Sequence, residues 1–348
     1  MTKIKKTFLL SKKRSPFELI LGFFSLLIIF LSAVFFYFQF KSPLKLETVK
    51  VSLVWLNQAQ FAGIYTAIDK GFYEDVGIKV ELEEFGFAKL LEDELAEGKT
   101  DFSIIHSVRL LEGIGRGLDL KAVAAIYQTS PHAFVSSKDN VIKKPEDLKG
   151  KTLGIKGDNI SAKILYSVLL TELGLKNSDV KFKSVDFTTH EFEDIQNGMV
   201  DTIDLYRTDQ VYFFEKNNVD YQLIPPENFR FDMYGDVIAT SDEMIKKNPK
   251  LVKNFVQATI KGWEYAIDNQ DEAIEMTQQY ITSEDYKDED YNKFILEMSS
   301  PLIKPVDIEK VGKMVSPKWN NLYDAMVANN IIKEEFDPGK AFTLEFLD

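Results

Sequence analysis

Apolar and polar positions alternate at two different periods along most of this chain. Alternation and short apolar runs at Val49–Trp55, Ile78–Glu84, Asp101–Ile105, Val123–Tyr127 and Ala133–Ser137 predict strands. Three- and four-residue spacing at Ala59–Lys70, Phe87–Glu97 and Val108–Gly115 predicts the helices between them, the first two stopping at Gly71 and Gly98. A second series begins near Pro145, with strands at Lys151–Ile155, Val180–Val185, Thr202–Tyr206 and Tyr221–Ile224. Helices at Ser161–Leu173, His190–Asn197 and Asp209–Lys216 separate them, and Asp232–Thr240 returns to extended chain. From Asp242 the pattern is almost wholly helical, most clearly over Leu251–Asn269.

Strands alternating with helices imply α/β structure with a mainly parallel sheet. The economical arrangement is two lobes, lobe 1 at about 49–132 and 234–348 and lobe 2 at about 133–233. The chain then crosses near Ser130–Phe134 and Asn228–Tyr234, and the late helices pack back on lobe 1. Ligands of open α/β sheets sit outside the carboxyl ends of the strands, so facing lobes form a cleft hinged at the crossings.

The first 48 residues follow another pattern. Leu19–Phe40 is uncharged over 22 residues and reads as an N-terminal transmembrane helix; at 1.5 Å per residue it spans roughly 33 Å, enough to cross a bilayer core. Basic residues dominate 1–18, which places that segment in the cytoplasm and the body, after a linker at 41–48, in the periplasm or outside the cell. A single-pass signal anchor is the expectation. The alternative is a cleaved signal peptide, whose apolar core is normally only about 7–15 residues long.

Charge sharpens the picture. The net charge is −12, yet residues 1–41 carry +6, leaving −18 on the body. So acidic a surface argues against nucleic acid as a partner. There is no cysteine, which excludes disulfides, thiol nucleophiles, thiolate metal sites and a cysteine-linked lipid anchor. GKT at 150–152 lacks the upstream glycine of a phosphate loop, position 145 being proline, and Gly113, Gly115 and Gly117 lack dinucleotide spacing. His106, His132 and His190 are far apart in sequence, with no pair at metal-ligand spacing on one helix, and no nucleophile–base motif is present. No catalytic residue, metal or cofactor is expected.

The stretch VWLNQAQFAGIYTAIDKGFYEDVGIKVEL from Val54 resembles the opening of ABC-transporter substrate-binding proteins of the thiamine-pyrimidine, sulfonate and nitrate superfamily. KPEDLKGKTLGI, NGMVDTIDLY, the segment from MYGDVIATSDEM to the long helices, and SPKWNNLYDAMVANNII extend the resemblance over about Val49–Leu347. It implies a two-lobed type II periplasmic-binding-protein fold with a closing cleft and is strongest to the thiamine-pyrimidine branch, without transferring the ligand; the expected function is delivery of a small molecule, a thiamine-precursor-like pyrimidine or related heterocycle, to an ABC permease. A membrane-anchored ligand-sensing domain with a signalling partner is the alternative. Fungal pyrimidine synthases of the superfamily use a cysteine-rich segment, which this chain lacks, so binding rather than catalysis is expected.

The resemblance also directs attention to particular residues. Trp55 and Asn57 follow the first strand, offering a stacking face and an amide; the other reading of Trp55 is core packing. Gln60 and Phe61 open the next helix and are expected to face the cleft, whereas Tyr65 reads as core. Ser107 ends the strand DFSII beside His106, which reads as structural. Asp158, Asn159 and Ser161 precede and cap a helix of the second lobe; an acid there disfavours an inorganic anion and suits a neutral or protonated heterocycle. Tyr206 and Asp209 close the strand TIDLY beside Asp204, an acid being able to pair with an aminopyrimidine edge. Tyr234 and Asp236, near the second crossing, either line the cleft or serve only the hinge.

Overall fold

The structure is a computed structural model that describes residues 27–30, 32 and 45–347, apart from 87–88, 141, 157–159, 173, 186–190 and 230–231. The chain divides into Met1–Lys45 and Leu46–Asp348. In the first unit, residues 27–30 and 32 are helical and exposed. The rest of the expected membrane span lies outside the described residues, and no described helix is long and apolar enough to cross a membrane.

The body opens with β1 (Glu47–Leu53), α1 (Ala62–Asp69), β2 (Ile78–Glu83), α2 (Leu91–Ala96), β3 (Phe102–His106), α3 (Ser107–Gly115) and β4 (Leu120–Ala125). It continues with β5 (His132–Ser137), β6 (Thr152–Lys156), α4 (Ile160–Glu172), β7 (Lys181–Val185), α5 (Glu191–Gln196), β8 (Thr202–Tyr206), α6 (Val211–Lys216) and β9 (Tyr221–Ile224). After β10 (Asp236–Ser241) the chain is helical: α7 (Asp242–Lys247), α8 (Pro249–Asp268), α9 (Gln270–Gln278), α10 (Glu289–Ile303) and α11 (Ser316–Ala328).

These strands form two five-stranded sheets, ordered β2-β1-β3-β10-β4 and β7-β6-β8-β5-β9. The two orders are equivalent. In each sheet the one strand running against its neighbours is the first strand after the chain changes sheets, β5 in the second and β10 in the first. The predicted mainly parallel sheet is thus two mixed sheets, since a chain arriving from the other lobe enters in the opposite sense. We call each sheet with its helices a lobe.

Local chemistry sets the element ends. Gly71 stops the turn after α1 with φ +71°, a conformation glycine adopts without steric cost. The extended run expected from Asp232 becomes strand only at Asp236. The Ser241 hydroxyl accepts the Met244 amide proton and starts α7, and the Asp288 carboxylate accepts those of Asp290 and Tyr291 and starts α10. Val49, Val51 and Leu53 of β1, Trp263 of α8 and Trp319 of α11 are fully buried in the main core; each of the three aliphatic side chains contributes roughly 1.5–3 kcal/mol.

The two segments joining the lobes run side by side. Ser130 N donates to Met233 O at 3.0 Å and Gly235 N to Tyr127 O at 3.1 Å. A Cβ at Gly235 would lie 2.6 Å from Pro131 Cδ and 2.8 Å from Tyr127 Cβ, so the approach is open only to glycine.

Candidate functional site

Where β3, β8 and β10 end or begin against one another, polar side chains of both lobes interlock. His106 closes β3 and pairs in register with Asp236, which opens β10, so adjacent strands bring the imidazole to the carboxylate: Nδ1 lies 2.8 Å from Oδ1. Gln60 Nε2 donates to the other carboxylate oxygen at 2.7 Å. From the second lobe, the Tyr206 hydroxyl at the end of β8 donates to Asp236 Oδ1 at 3.1 Å and contacts His106 Nδ1 at 2.8 Å. Burial opposes the charge on Asp236, but these hydrogen bonds outweigh it and hold its pKa below the ordinary carboxylate value. Burial, with the Asp236 charge beside it, raises the Tyr206 pKa well above the usual phenol value, so the group remains a donor.

Asp209 mirrors this arrangement from the second lobe. Its carboxylate accepts from Gln58 Nε2 at 3.2 Å and from the Tyr291 hydroxyl, both of the first lobe. Gln210 Nε2 adds a third donor at 2.9 Å, while its Oε1 accepts the Tyr206 amide proton at 2.8 Å and so shapes the turn from β8 to α6. Tyr291 sits in the first turn of α10, where the Asp288 cap places it. Gln58 joins the halves by donating to Gln60 Oε1 at 3.2 Å. Each lobe therefore supplies a buried carboxylate that donors of the other lobe satisfy. Buried acceptors are costly unless paired, so the junction can be buried only when these donors and acceptors meet. His132 and Asp204 lie behind it, Nδ1 to Oδ1 at 3.0 Å, with the His132 ring edge-on to Tyr206 at 4.5 Å.

An aromatic group follows β1 in the first lobe. Trp55, half-buried just after β1, tilts against Phe85 with centroids 5.3 Å apart, and its Nε1 donates to the Tyr286 hydroxyl at 3.3 Å. Asn57 Oδ1 accepts from Tyr65 at 2.7 Å.

The expected site residues separate into groups. Gln60, Tyr206, Asp209 and Asp236 come together at the lobe junction, whereas Trp55 and Asn57 make their contacts with Tyr286, Phe85 and Tyr65 of the first lobe. Phe61, expected to face the cleft, is instead fully buried in the apolar core, where a large ring at the start of α1 is best enclosed. Ser107 is buried with its hydroxyl donating to Tyr234 O at 2.7 Å, tying α3 to the second crossing. Tyr234 faces the other way: its hydroxyl accepts the Val315 amide proton at 2.7 Å and its ring packs on Trp319. Asp158 and Asn159 lie outside the described residues, as does the side chain of Ser161. Gln58 and Tyr291 were not among the expected residues. Gln58 stands in the same loop as Asn57 and Gln60, but Tyr291 gives no local sign, since its helix meets the site only through the fold.

This architecture, two α/β lobes with equivalent strand orders joined by paired crossings, is that of periplasmic-binding proteins. Escherichia coli SsuA, a periplasmic aliphatic sulphonate binding protein, superposes with a TM-score of 0.64 at 14% identity over 85% of this chain and 91% of its own. The family model described as NMT1/THI5 like matches residues 58–273, more than half of the chain, and the chain belongs to that family. It is similar to a riboflavin-binding protein, RibY, of Chloroflexus aurantiacus, 25% identical over 87% of this chain and 86% of the relative. A formylaminopyrimidine-binding protein of Halalkalibacterium halodurans is 22% identical over 79% of each chain. A Legionella pneumophila relative, 21% identical over 86% of this chain and 92% of its own, carries the name 4-amino-5-hydroxymethyl-2-methylpyrimidine phosphate synthase.

Proposed function

We propose that this chain is an extracytoplasmic solute-binding protein that closes its lobes on a small nitrogen heterocycle, of pyrimidine or flavin type, and hands it to an ABC permease. The observation that carries the reading is the reciprocal satisfaction of Asp236 and Asp209 across the lobe junction. Such pairing makes closure a two-state event, and a ligand drives it by binding the closed form more tightly. In this reading Trp55 stacks on the ligand ring and Asn57 offers its amide. Two buried carboxylates close to the cleft disfavour an anionic ligand and favour a neutral or protonated ring that presents N–H donors. The names of the riboflavin- and formylaminopyrimidine-binding relatives support that ligand class. The reading is of binding without chemistry, because the chain has no cysteine to supply a thiol nucleophile or ligand. Residues 19–40 serve as the membrane anchor in this proposal.

Native mass spectrometry of the freshly purified full chain tests the ligand class. A co-purified, non-covalent heterocycle is the expected result. A bare chain that also binds neither riboflavin nor formylaminopyrimidine would remove the proposal.

A further inference from the structure

A cavity of about 650 Å³ lies in the first lobe against both crossing segments. Gln128 and Thr129 of the first crossing and Asp232 and Tyr234 of the second form one wall, and the chain around α11 and the C-terminal Leu344 and Leu347 form the rest. Its lining contains Lys310, Lys313 and Lys318 against Asp232 and Asp307, a net positive patch on a strongly acidic body. Two of these lysines are engaged. Lys318 Nζ donates to Gln128 O at 2.6 Å and pairs with Asp232 at 2.8 Å, so one ammonium ties the two crossings together, and Lys310 holds Leu347 O at 2.7 Å. The Lys313 ammonium makes no ion pair or hydrogen bond among the described residues. Tyr234, only 2% exposed, accepts the Val315 amide proton, and its own hydroxyl proton has no acceptor among the described residues. Val315 and Leu344, 51% and 47% exposed, also line the cavity. Large aliphatic side chains left open around a cavity favour an apolar occupant.

We propose that this cavity is a second binding site, distinct from the cleft, for a small molecule with an apolar body and a single carboxylate, which Lys313 and the Tyr234 hydroxyl receive. The inference does not depend on what the cleft binds. Ile308, Met314 and Leu344 take the body of the ligand. Its carboxylate adds a second anion near Lys318 and competes with Asp232 for that ammonium, which loosens the tie between the crossings.

Phenylacetate is a suitable probe, with phenylacetamide and phenethylamine as its neutral and cationic counterparts. The full chain carries ¹³C-methyl methionine, and the Met314 methyl, in the cavity wall, is assigned through Met314→Leu. Phenylacetate is expected to move that signal saturably, with the amide and the amine leaving it in place. Lys313→Glu, at an exposed position where folding is not at stake, is expected to weaken phenylacetate at least about tenfold, the scale of one charge-assisted hydrogen bond. No saturable shift, an equal shift with the amide or amine, or unchanged affinity in Lys313→Glu would each overturn the proposal.

Discussion

The hydroxyl of Tyr206 and the carboxylate of Asp236 lie 30 positions apart in the chain and on different sheets, and they meet at 3.1 Å. Neither group is at ease in a buried place alone. Together with the counterpart pairing of Tyr291 and Asp209, they make contact between the lobes a matter of polar satisfaction as well as apolar burial.

Removing one donor tests that relationship. Tyr206→Phe leaves Asp236 with Gln60 and His106 and weakens the closed form by about 1.5–3 kcal/mol, the usual worth of a hydrogen bond to a charged group. Small-angle scattering is expected to show a larger radius of gyration than wild type. An unchanged radius together with unchanged stability would show that the contact does not hold the lobes.

Acid acts on the same carboxylate. The Asp236 pKa is lowered in the folded chain, so the group stabilises the fold above its unfolded pKa of about 4. That contribution is lost as pH falls from there through the lower folded value. Urea unfolding of wild type and Asp236→Asn is expected to show the largest gap at neutral pH and a shrinking gap below about pH 4. A gap that widens on acidification would reverse the sign of the argument.

The crossings have no room to spare. Gly235→Ala puts a methyl within 2.6 Å of Pro131 and 2.8 Å of Tyr127. Overpacking of this kind costs about 1–3 kcal/mol, read as a lower midpoint in urea. Since both segments shift together, Gly235→Ala is also expected to change the lobe-opening equilibrium, which amide exchange at Ser130 and Gly235 reports.

Trp55 is the aromatic half of the proposed cleft. Trp55→Ala is expected to weaken ligand binding by about 2–4 kcal/mol, from lost burial and stacking. Calorimetry with the co-purified ligand measures it, and wild-type affinity in the variant would take Trp55 out of the site.

Much of this fold is legible in hydrophobic periodicity, because strands buried almost throughout, such as Phe102–His106, His132–Ser137 and Asp236–Ser241, read as short apolar runs, and helices bury one face. Tyr221–Ile224 and Thr202–Tyr206 are strands with the ends that alternation marks. What alternation does not carry is direction. Nothing local in HAFVSS or DVIATS says that β5 and β10 run against their neighbours, since that follows from which lobe the chain has just left. The junction is legible to a similar depth. Tyr206, Asp209 and Asp236 sit at strand ends, where polar residues attract attention, and Gln60 lies beside the first strand. Tyr291, 82 positions beyond its partner Asp209, reads as one more ring on a helix, and only the packing of α10 against the first lobe turns it to the junction. Phe61 errs in the other direction: proximity to Gln60 suggested the cleft, but neighbouring residues on a turn point different ways, and the ring went to the core.

In the proposed function the two lobes shut on a guest. Because the chain has no cysteine, a single pair can be introduced at exposed Asp220 of the second lobe and Glu284 of the first, whose side chains are 75% and 83% exposed. The measurement is the distance between spin labels at that pair, taken with and without saturating co-purified ligand. Two distances are expected, with populations that shift toward the shorter on binding. One distance, unmoved by saturating ligand, would contradict the proposed closure.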